Sequence, residues 1–353
     1  MTQEQVIKKN VVRTHPFSSR RHGDFLNFSF FIFIFSFLIS LPSCQDLRNT
    51  QATHRTVRGV LLQESQDYEK ALAEFREAVK LNPQLAVAYS RMGQIYISMG
   101  RMEDAVDSYQ QAVRVDPFNF DDVLSLAQVY QKLGQIKEAI RAYLHAAELE
   151  PESFPAQLNL GVCYLQTQMI DQAAERFAEA VKIDPDSAFA YSNLGVTYDI
   201  QGQYFEAIRA YKESLEKDEK QPMVLINLGT TYIKQERFAQ AEETFKKALD
   251  LDSTSPVVYE RMGYCLYRQG KLLQAQKMYE QSIGNFEKSP TAHAGMGVVM
   301  MTMALNDSNQ PDLKAQALEH WYRSLELDPN QPKISALVEK YKTPPAIQPV
   351  PNL

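Results

Sequence analysis

The feature that most constrains this chain is a ruler of 34 residues. Alanines stand at positions 71, 105, 139, 173, 207, 241 and 275, and prolines at 83, 117, 151 and 185. Glycines at 59, 93, 161, 195, 229, 263 and 297 keep the same step, with Ala127 in the one gap. Phe75, Tyr109, Tyr143, Phe177, Tyr211, Phe245 and Tyr279 make a fourth column, and tyrosines at 96, 130, 164, 198 and 232 a fifth. Five columns in phase over seven periods mean stacked copies of one small unit, so whatever the chain does is done by an array.

Within one copy the pattern is helix–turn–helix. In Ala188–Gln221 an apolar-periodic stretch through Leu194, Gly195 and Tyr198 breaks at Gln201-Gly202-Gln203, and a second runs from Phe205 to Lys217. Small residues at Gly195 and Ala207 let two helices cross closely, while Tyr198 and Tyr211 fill the wider gaps. Pairs such as Asp116-Pro117 and Asp184-Pro185 stop the second helix, because Pro offers no N–H and disfavours helical geometry in the residue before it.

With Tyr191, Leu194-Gly195, Tyr198, Ala207 and Tyr211 in these places, the unit resembles the tetratricopeptide repeat family. The resemblance covers residues 52–331 and implies an all-α, right-handed α-solenoid superhelix of about eight repeats. Their expected bounds are 52–85, 86–119, 120–153, 154–187, 188–221, 222–255, 256–289 and 290–331. The eighth is longer, since Gly297 and Ala317 are 20 apart where the equivalent pair elsewhere is 12 apart, and a turn-rich insertion is expected around 305–311. Glu219, Ser253 and Glu287 replace the terminal proline in the fifth to seventh units, which predicts softer turns there. Arg55 and Arg58 give the first unit the polar outward face of a terminal repeat. Residues 332–343 are expected as a C-terminal capping helix and the Pro-rich 344–353 as an extended tail.

Residues 1–44 read as an address and 45–51 as a linker. Phe25–Leu41 runs for 17 residues without a charge and follows a basic stretch (Lys8, Lys9, Arg13, Arg20, Arg21), which favours export of what comes after. Its length lies between a secretory apolar core of about 7–15 residues and a spanning helix of about 20. Leu41-Pro42-Ser43-Cys44 resembles the lipobox of bacterial lipoproteins. That implies Cys44 as a lipid-attachment residue and a protein anchored to a membrane of the cell envelope, on its periplasmic or outward face. Pro42 stands where a small residue is usual, and the basic region is long for this class. An uncleaved single-span anchor, secretion after cleavage and a buried element of the fold remain open alternatives.

Composition narrows the chemistry. Lys plus Arg number 37 against 43 for Asp plus Glu, and without the first 44 residues the balance is 32 against 41, a formal −9. An acidic body repels phosphate backbones, so nucleic acid is not an expected partner. Three cysteines make no disulfide framework, and Cys163 and Cys265, each two residues after a column glycine, read as core fillers. The six histidines show no metal-ligand spacing, and the glycines follow the architecture rather than a phosphate loop. No catalytic residue, metal, cofactor or small-molecule substrate is expected, so the chain reads as a non-enzyme. Trp321 falls in the aromatic column of the eighth unit and reads as core.

Two binding modes of the family can be compared with these residues. Carboxylate clamps for chaperone C-termini use Lys and Asn on one first helix, Asn on the next and a Lys–Arg pair on the third. In a clamp anchored by Asn159 the third helix would need that pair at Phe189 and Asn193, so this mode lacks its charges. Asn159, Asn193 and Asn227, however, are separated by 34 and 34 and occupy equivalent first-helix positions. Superhelical members of the family use such an asparagine ladder to hold the backbone of an extended peptide, since an amide both donates and accepts. Leu158, Val162, Phe189, Val196, Met223, Ile226 and Thr230 would surround it with a mostly apolar groove. The competing reading is that asparagine here only helps adjacent units pack. The function expected from the resemblance is a non-catalytic scaffold for an extended segment of a partner protein, tethered to a membrane or exported. The alternative is a regulatory subunit of an envelope enzyme or assembly machine, of pilus or cell-wall type, acting through its outer surface.

Overall fold

The computed structural model describes residues 44–307 and 311–342. Among the described residues every regular element is a helix. In chain order they are α1 Cys44–Glu64, α2 Tyr68–Leu81, α3 Ala86–Ser98, α4 Met102–Val115, α5 Phe120–Lys132 and α6 Ile136–Leu149. Then follow α7 Phe154–Gln166, α8 Ile170–Ile183, α9 Ala188–Ile200, α10 Tyr204–Lys217, α11 Pro222–Lys234 and α12 Phe238–Leu251. The series ends with α13 Pro256–Arg268, α14 Leu272–Asn285, α15 Pro290–Asn306, α16 Pro311–Leu327 and α17 Pro332–Tyr341. Two compact units divide them, one with α1–α3 up to Met99 and one with α4–α17 from Gly100.

The helix ends follow local chemistry. Asn119, Ser153, Ser187 and Ser289 each accept a hydrogen bond from the N–H three residues on, at 3.1–3.4 Å, and so start α5, α7, α9 and α15. In the first seven units the first helix ends on a left-handed residue, and the next N–H reaches back to close the turn: Gln135, Met169, Gln203 and Arg237 donate to the carbonyls of Tyr130, Tyr164, Tyr198 and Tyr232, all at 2.9 Å. Gly134, Gly202 and Gly270 supply that conformation without strain, at φ of 71–76°. Gln66, Gln168 and Glu236 adopt it at φ 63°, 60° and 56° despite their side chains.

In most units the glycine column exists because of the aromatic column. A Cβ on Gly161, Gly195, Gly229 or Gly297 would lie 2.4–2.8 Å from the ring of Phe177, Tyr211, Phe245 or Trp321, closer than side-chain carbons pack. In the first unit Gly59 stands 2.7 Å, by the same measure, from Phe75. The column alanines are fully buried, as are Phe177, Phe245 and Trp321. Cys163 and Cys265 are buried too, and burial pushes their thiols up to about 11 and about 12, which leaves them protonated and inert.

Three details differ from the sequence reading. Residues 45–51, expected as a linker, are helical and continuous with the first repeat, because nothing from Cys44 to Glu64 breaks a helix before Ser65. The insertion of the eighth unit is mostly helix. The first and second helices of the seventh unit have 13 and 14 residues, whereas α15 and α16 have 17 each, so four residues between Asn306 and Pro311 form the connection. The turns without proline are also pinned rather than soft. Gln221 Nε2 donates to the carbonyls of Asp218 (2.7 Å) and Ser214 (3.0 Å), Tyr259 OH to that of Ser253 (3.0 Å), and His293 Nε2 to that of Glu287 (3.0 Å). The tail at 344–353 and the apolar segment Phe25–Leu41 lie outside the described residues. None of the described helices is long and apolar enough to cross a membrane.

Candidate functional site

The first helices from α7 to α15 each touch the next first helix in line, whereas no contact of that extent joins consecutive second helices. Each unit is therefore narrower on its first-helix side. Residues at the second, sixth, ninth and thirteenth positions of a first helix fall on one face, by the i, i+4, i+7 rule. On α9 these are Phe189, Asn193, Val196 and Ile200, and on α11 Met223, Asn227, Thr230 and Lys234.

The three asparagines occupy the same register on α7, α9 and α11 and are half-buried. Their environments are not identical. Asn193 Nδ2 donates to the carbonyl of Phe189 on its own helix at 2.8 Å, leaving its oxygen and one N–H available. Asn159 and Asn227 have no side-chain hydrogen bond among the described residues, so both ends of each amide are available. Leu158, Val162, Val196, Ile226 and Thr230 are half-buried around them. Phe189 and Met223 project furthest, 58% and 67% exposed. The hydroxyl of Thr230 is already engaged with the carbonyl of Ile226 at 2.7 Å.

Continuing the ladder by 34 residues reaches Arg261 on α13, which the sequence reading did not single out. It is exposed and has no hydrogen-bond or ion-pair partner among the described residues. Val257 precedes it by one turn, so the lysine that a carboxylate clamp pairs with its arginine has no counterpart there. The far end of the face is closed by ties between units. Lys234 pairs with Asp199, Thr231 Oγ1 donates to Asp199 Oδ1 at 2.8 Å, and Arg268 donates to Glu236 at 3.0 Å. The Arg268 guanidinium also stacks 4.6 Å from the centre of the Phe238 ring. The far end of the face is thus tied by ion pairs on α9, α11 and α13, and its open half is built on Phe189, Asn193, Met223 and Asn227.

Elsewhere, a cleft of about 630 Å³ opens between the second helices α10 and α12, floored by Leu225, Leu228 and Tyr232 and rimmed by Lys212, Glu243 and Lys247. No group of three or more His, Cys, Asp or Glu among the described residues is arranged to hold a metal ion. Cys44 is exposed, at the first residue of α1.

Paired helices on a 34-residue stride, with glycine set under an aromatic ring in most units, define a tetratricopeptide-repeat α-solenoid, a fold whose members typically serve as scaffolds for protein interaction. Residues 45–296 match the family model of the cilia and flagella-associated protein 70 C-terminal domain, a tetratricopeptide-repeat domain, and the chain belongs to that family. Solved structures with the same fold include a tetratricopeptide repeat protein from Parabacteroides merdae, at 16% identity and TM-score 0.51 over 73% of this chain and 99% of that one. PilF of Pseudomonas aeruginosa is 21% identical, with TM-score 0.51 over 63% of this chain and 97% of its own. A chain of the APC/C hetero-tetramer Cut9–Hcn1 is 17% identical, with TM-score 0.50 over 78% of this chain and 53% of its own. No curated protein matches the chain.

Proposed function

We propose that the chain is a non-catalytic scaffold that binds an extended segment of a partner protein across the first-helix face of α7, α9 and α11. The observation that carries this reading is the amide ladder: Asn159 and Asn227 hold unengaged amides in one register, one on each side of Asn193. A packing role would engage those amides with neighbouring units, whereas a peptide backbone offers them the donor and acceptor they lack. Phe189 and Met223 stand beside the ladder as exposed apolar contacts that select side chains.

The test is a photo-crosslinking residue at Met223 in the full chain, with a second at Lys247 on the other side of the unit as control. The reading expects partner segments to be captured from Met223, and their capture to fall in the Asn159→Ala, Asn193→Ala, Asn227→Ala triple variant. A folded triple variant that captures as much as the parent overturns it.

The cleft between α10 and α12 supports a second reading, in which a partner is engaged on the outer surface. Capture from Lys247 and not from Met223 would select that one. For location, the uncharged run Phe25–Leu41 and the lipobox-like residues before Cys44 favour attachment to a membrane through a lipid on Cys44. Labelling with a fatty-acid analogue tests this, with Cys44→Ala expected to lose the label. Equal labelling of both proteins, or of neither, overturns it.

A further inference from the structure

The eighth unit holds a pair of histidines that the binding reading does not use. His293, the fourth residue of α15, is 6% exposed, and His320 on α16 is half-buried. Their Nδ1 atoms are 2.9 Å apart and their ring centres 5.2 Å apart. The centre-to-centre separation is the nitrogen–nitrogen distance plus roughly one ring radius at each end, so the nitrogens meet head-on. Lone pairs on such a line do not converge on a third point, so this is a site for a proton and not for a metal ion.

The neighbouring bond fixes the tautomers. His293 Nε2 lies 3.0 Å from the carbonyl oxygen of Glu287, which can only accept, so Nε2 carries the hydrogen and Nδ1 of the neutral ring is the acceptor. His320 must then donate from Nδ1 and keep its lone pair on Nε2. A first proton can join His320 Nε2 without disturbing the bond between the rings. A second has only His293 Nδ1 to occupy, where it removes the acceptor and sets two cations against each other.

Beside this contact, Trp321 Nε1 donates to the carbonyl of Ala294 at 3.2 Å, and the Tyr341 ring of α17 lies 6.1 Å, centre to centre, from Trp321. The first of these links joins the same two helices one residue further on and the second joins α16 to α17, so separation of the rings loosens the joint on which α17 rests. The charged groups around the pair are Glu280 from α14 and Glu319, Arg323 and Glu326 from α16. Burial and then His293 hold His320 below its ordinary value of 6.5, against the opposing pull of Glu319 and Glu280. For a base with a lowered pKa, the stabilisation is complete above 6.5 and is lost as pH falls below it.

We propose that His293 and His320 form a proton-sensitive clasp, closed while the pair carries at most one proton and opened by the second, so that mild acid loosens α15, α16 and α17 ahead of the other units.

Trp321 is the chain's one tryptophan, so its emission reports this joint directly. The full chain is titrated from about pH 7.5 to about pH 5, with emission and hydrogen exchange read together. The expected result is a change in emission with early loss of protection across 290–341. His320→Gln adds no second charge, and its amide can donate to His293 Nδ1 or, once that nitrogen is protonated, turn over and accept from it, so the variant should hold both steady over the same range. A variant that follows the wild-type curve overturns the proposal, as does wild-type emission that changes while protection across 290–341 does not. Should the variant fail to fold at the upper pH, wild-type exchange decides alone: loss that begins in another unit, or everywhere at once, overturns the clasp.

Discussion

Gly195 lies directly beneath the ring of Tyr211, close enough that a Cβ on the glycine would sit 2.6 Å from Cδ1 of the tyrosine. One residue on α9 is thus chosen by one residue on α10, and the pair sets how near the two helices approach. Gly195→Ala is expected to overpack the joint and to cost about 1–3 kcal/mol. Because each repeat is supported by its neighbours alone, hydrogen exchange should place the lost protection in the fifth unit and those beside it. Tyr211→Leu made together with Gly195→Ala should cost less than the two separate changes added, and chemical denaturation of the four proteins measures that coupling.

Gln168 ends α7 at φ 60°, in the place where Gly134 and Gly202 end theirs. A side chain in that conformation costs roughly 1–2 kcal/mol that glycine does not incur. Gln168→Gly is therefore expected to stabilise the chain by about 1 kcal/mol in urea denaturation, after the greater chain entropy of glycine is set against the relief. Glu236→Gly should gain less, since Glu236 also accepts from Arg268 at 3.0 Å.

Glu242 is a buried carboxylate that joins two units, accepting from Lys246 at 2.6 Å, Lys271 at 3.0 Å and Gln269 at 3.0 Å. Burial alone would raise its pKa, but the three hydrogen bonds together outweigh it and bring the value down to about 2. A lowered carboxyl pKa contributes stability above its ordinary 4.5, which is lost as pH falls from there toward about 2. Glu242→Gln should remove about 2–4 kcal/mol at neutral pH and flatten the acid limb of the stability curve. Denaturation midpoints of both proteins at neutral pH and near pH 3 test the difference.

Single changes in the amide ladder should be mild. Asn193→Ala is expected to weaken partner binding by less than about tenfold, and the triple variant by roughly ten- to a thousandfold, as measured by titration calorimetry with a captured segment. Met223→Ser should leave stability within about 0.5 kcal/mol, since the side chain is largely exposed, while altering which partners are captured.

The architecture was legible because it is periodic. Each column repeats a steric demand that one residue type meets, so Gly195, Ala207 and Tyr211 announce a helix pair before any coordinates are known. What was hidden depends on single exceptions to the period. Gln168 and Glu236 end their helices in the left-handed conformation that glycine supplies elsewhere, and the same backbone bond from the next N–H closes the turn. The helix over 45–51 continues the first repeat because no residue there interrupts it, although no column extends that far. Arg261 was within reach, since it stands 34 residues beyond Asn227, but a ladder sought as asparagines passes over it. The bond from Asn193 to its own helix depends on rotamer choice, which spacing does not encode. His293 and His320 are 27 apart, a separation that belongs to no column and acquires meaning only when α15 and α16 lie side by side.

The glycine, alanine and aromatic columns all point between helices, and this leaves outward first-helix residues such as Phe189 and Met223 free of architectural duty. Phe189, Asn193 and Ile200 could be exchanged as a group without disturbing the joint between Gly195 and Tyr211. Recognition in such a chain is editable in segments, each helix governing one short stretch of whatever lies across it. A lineage can then revise its choice of partner one segment at a time while inheriting the frame unchanged.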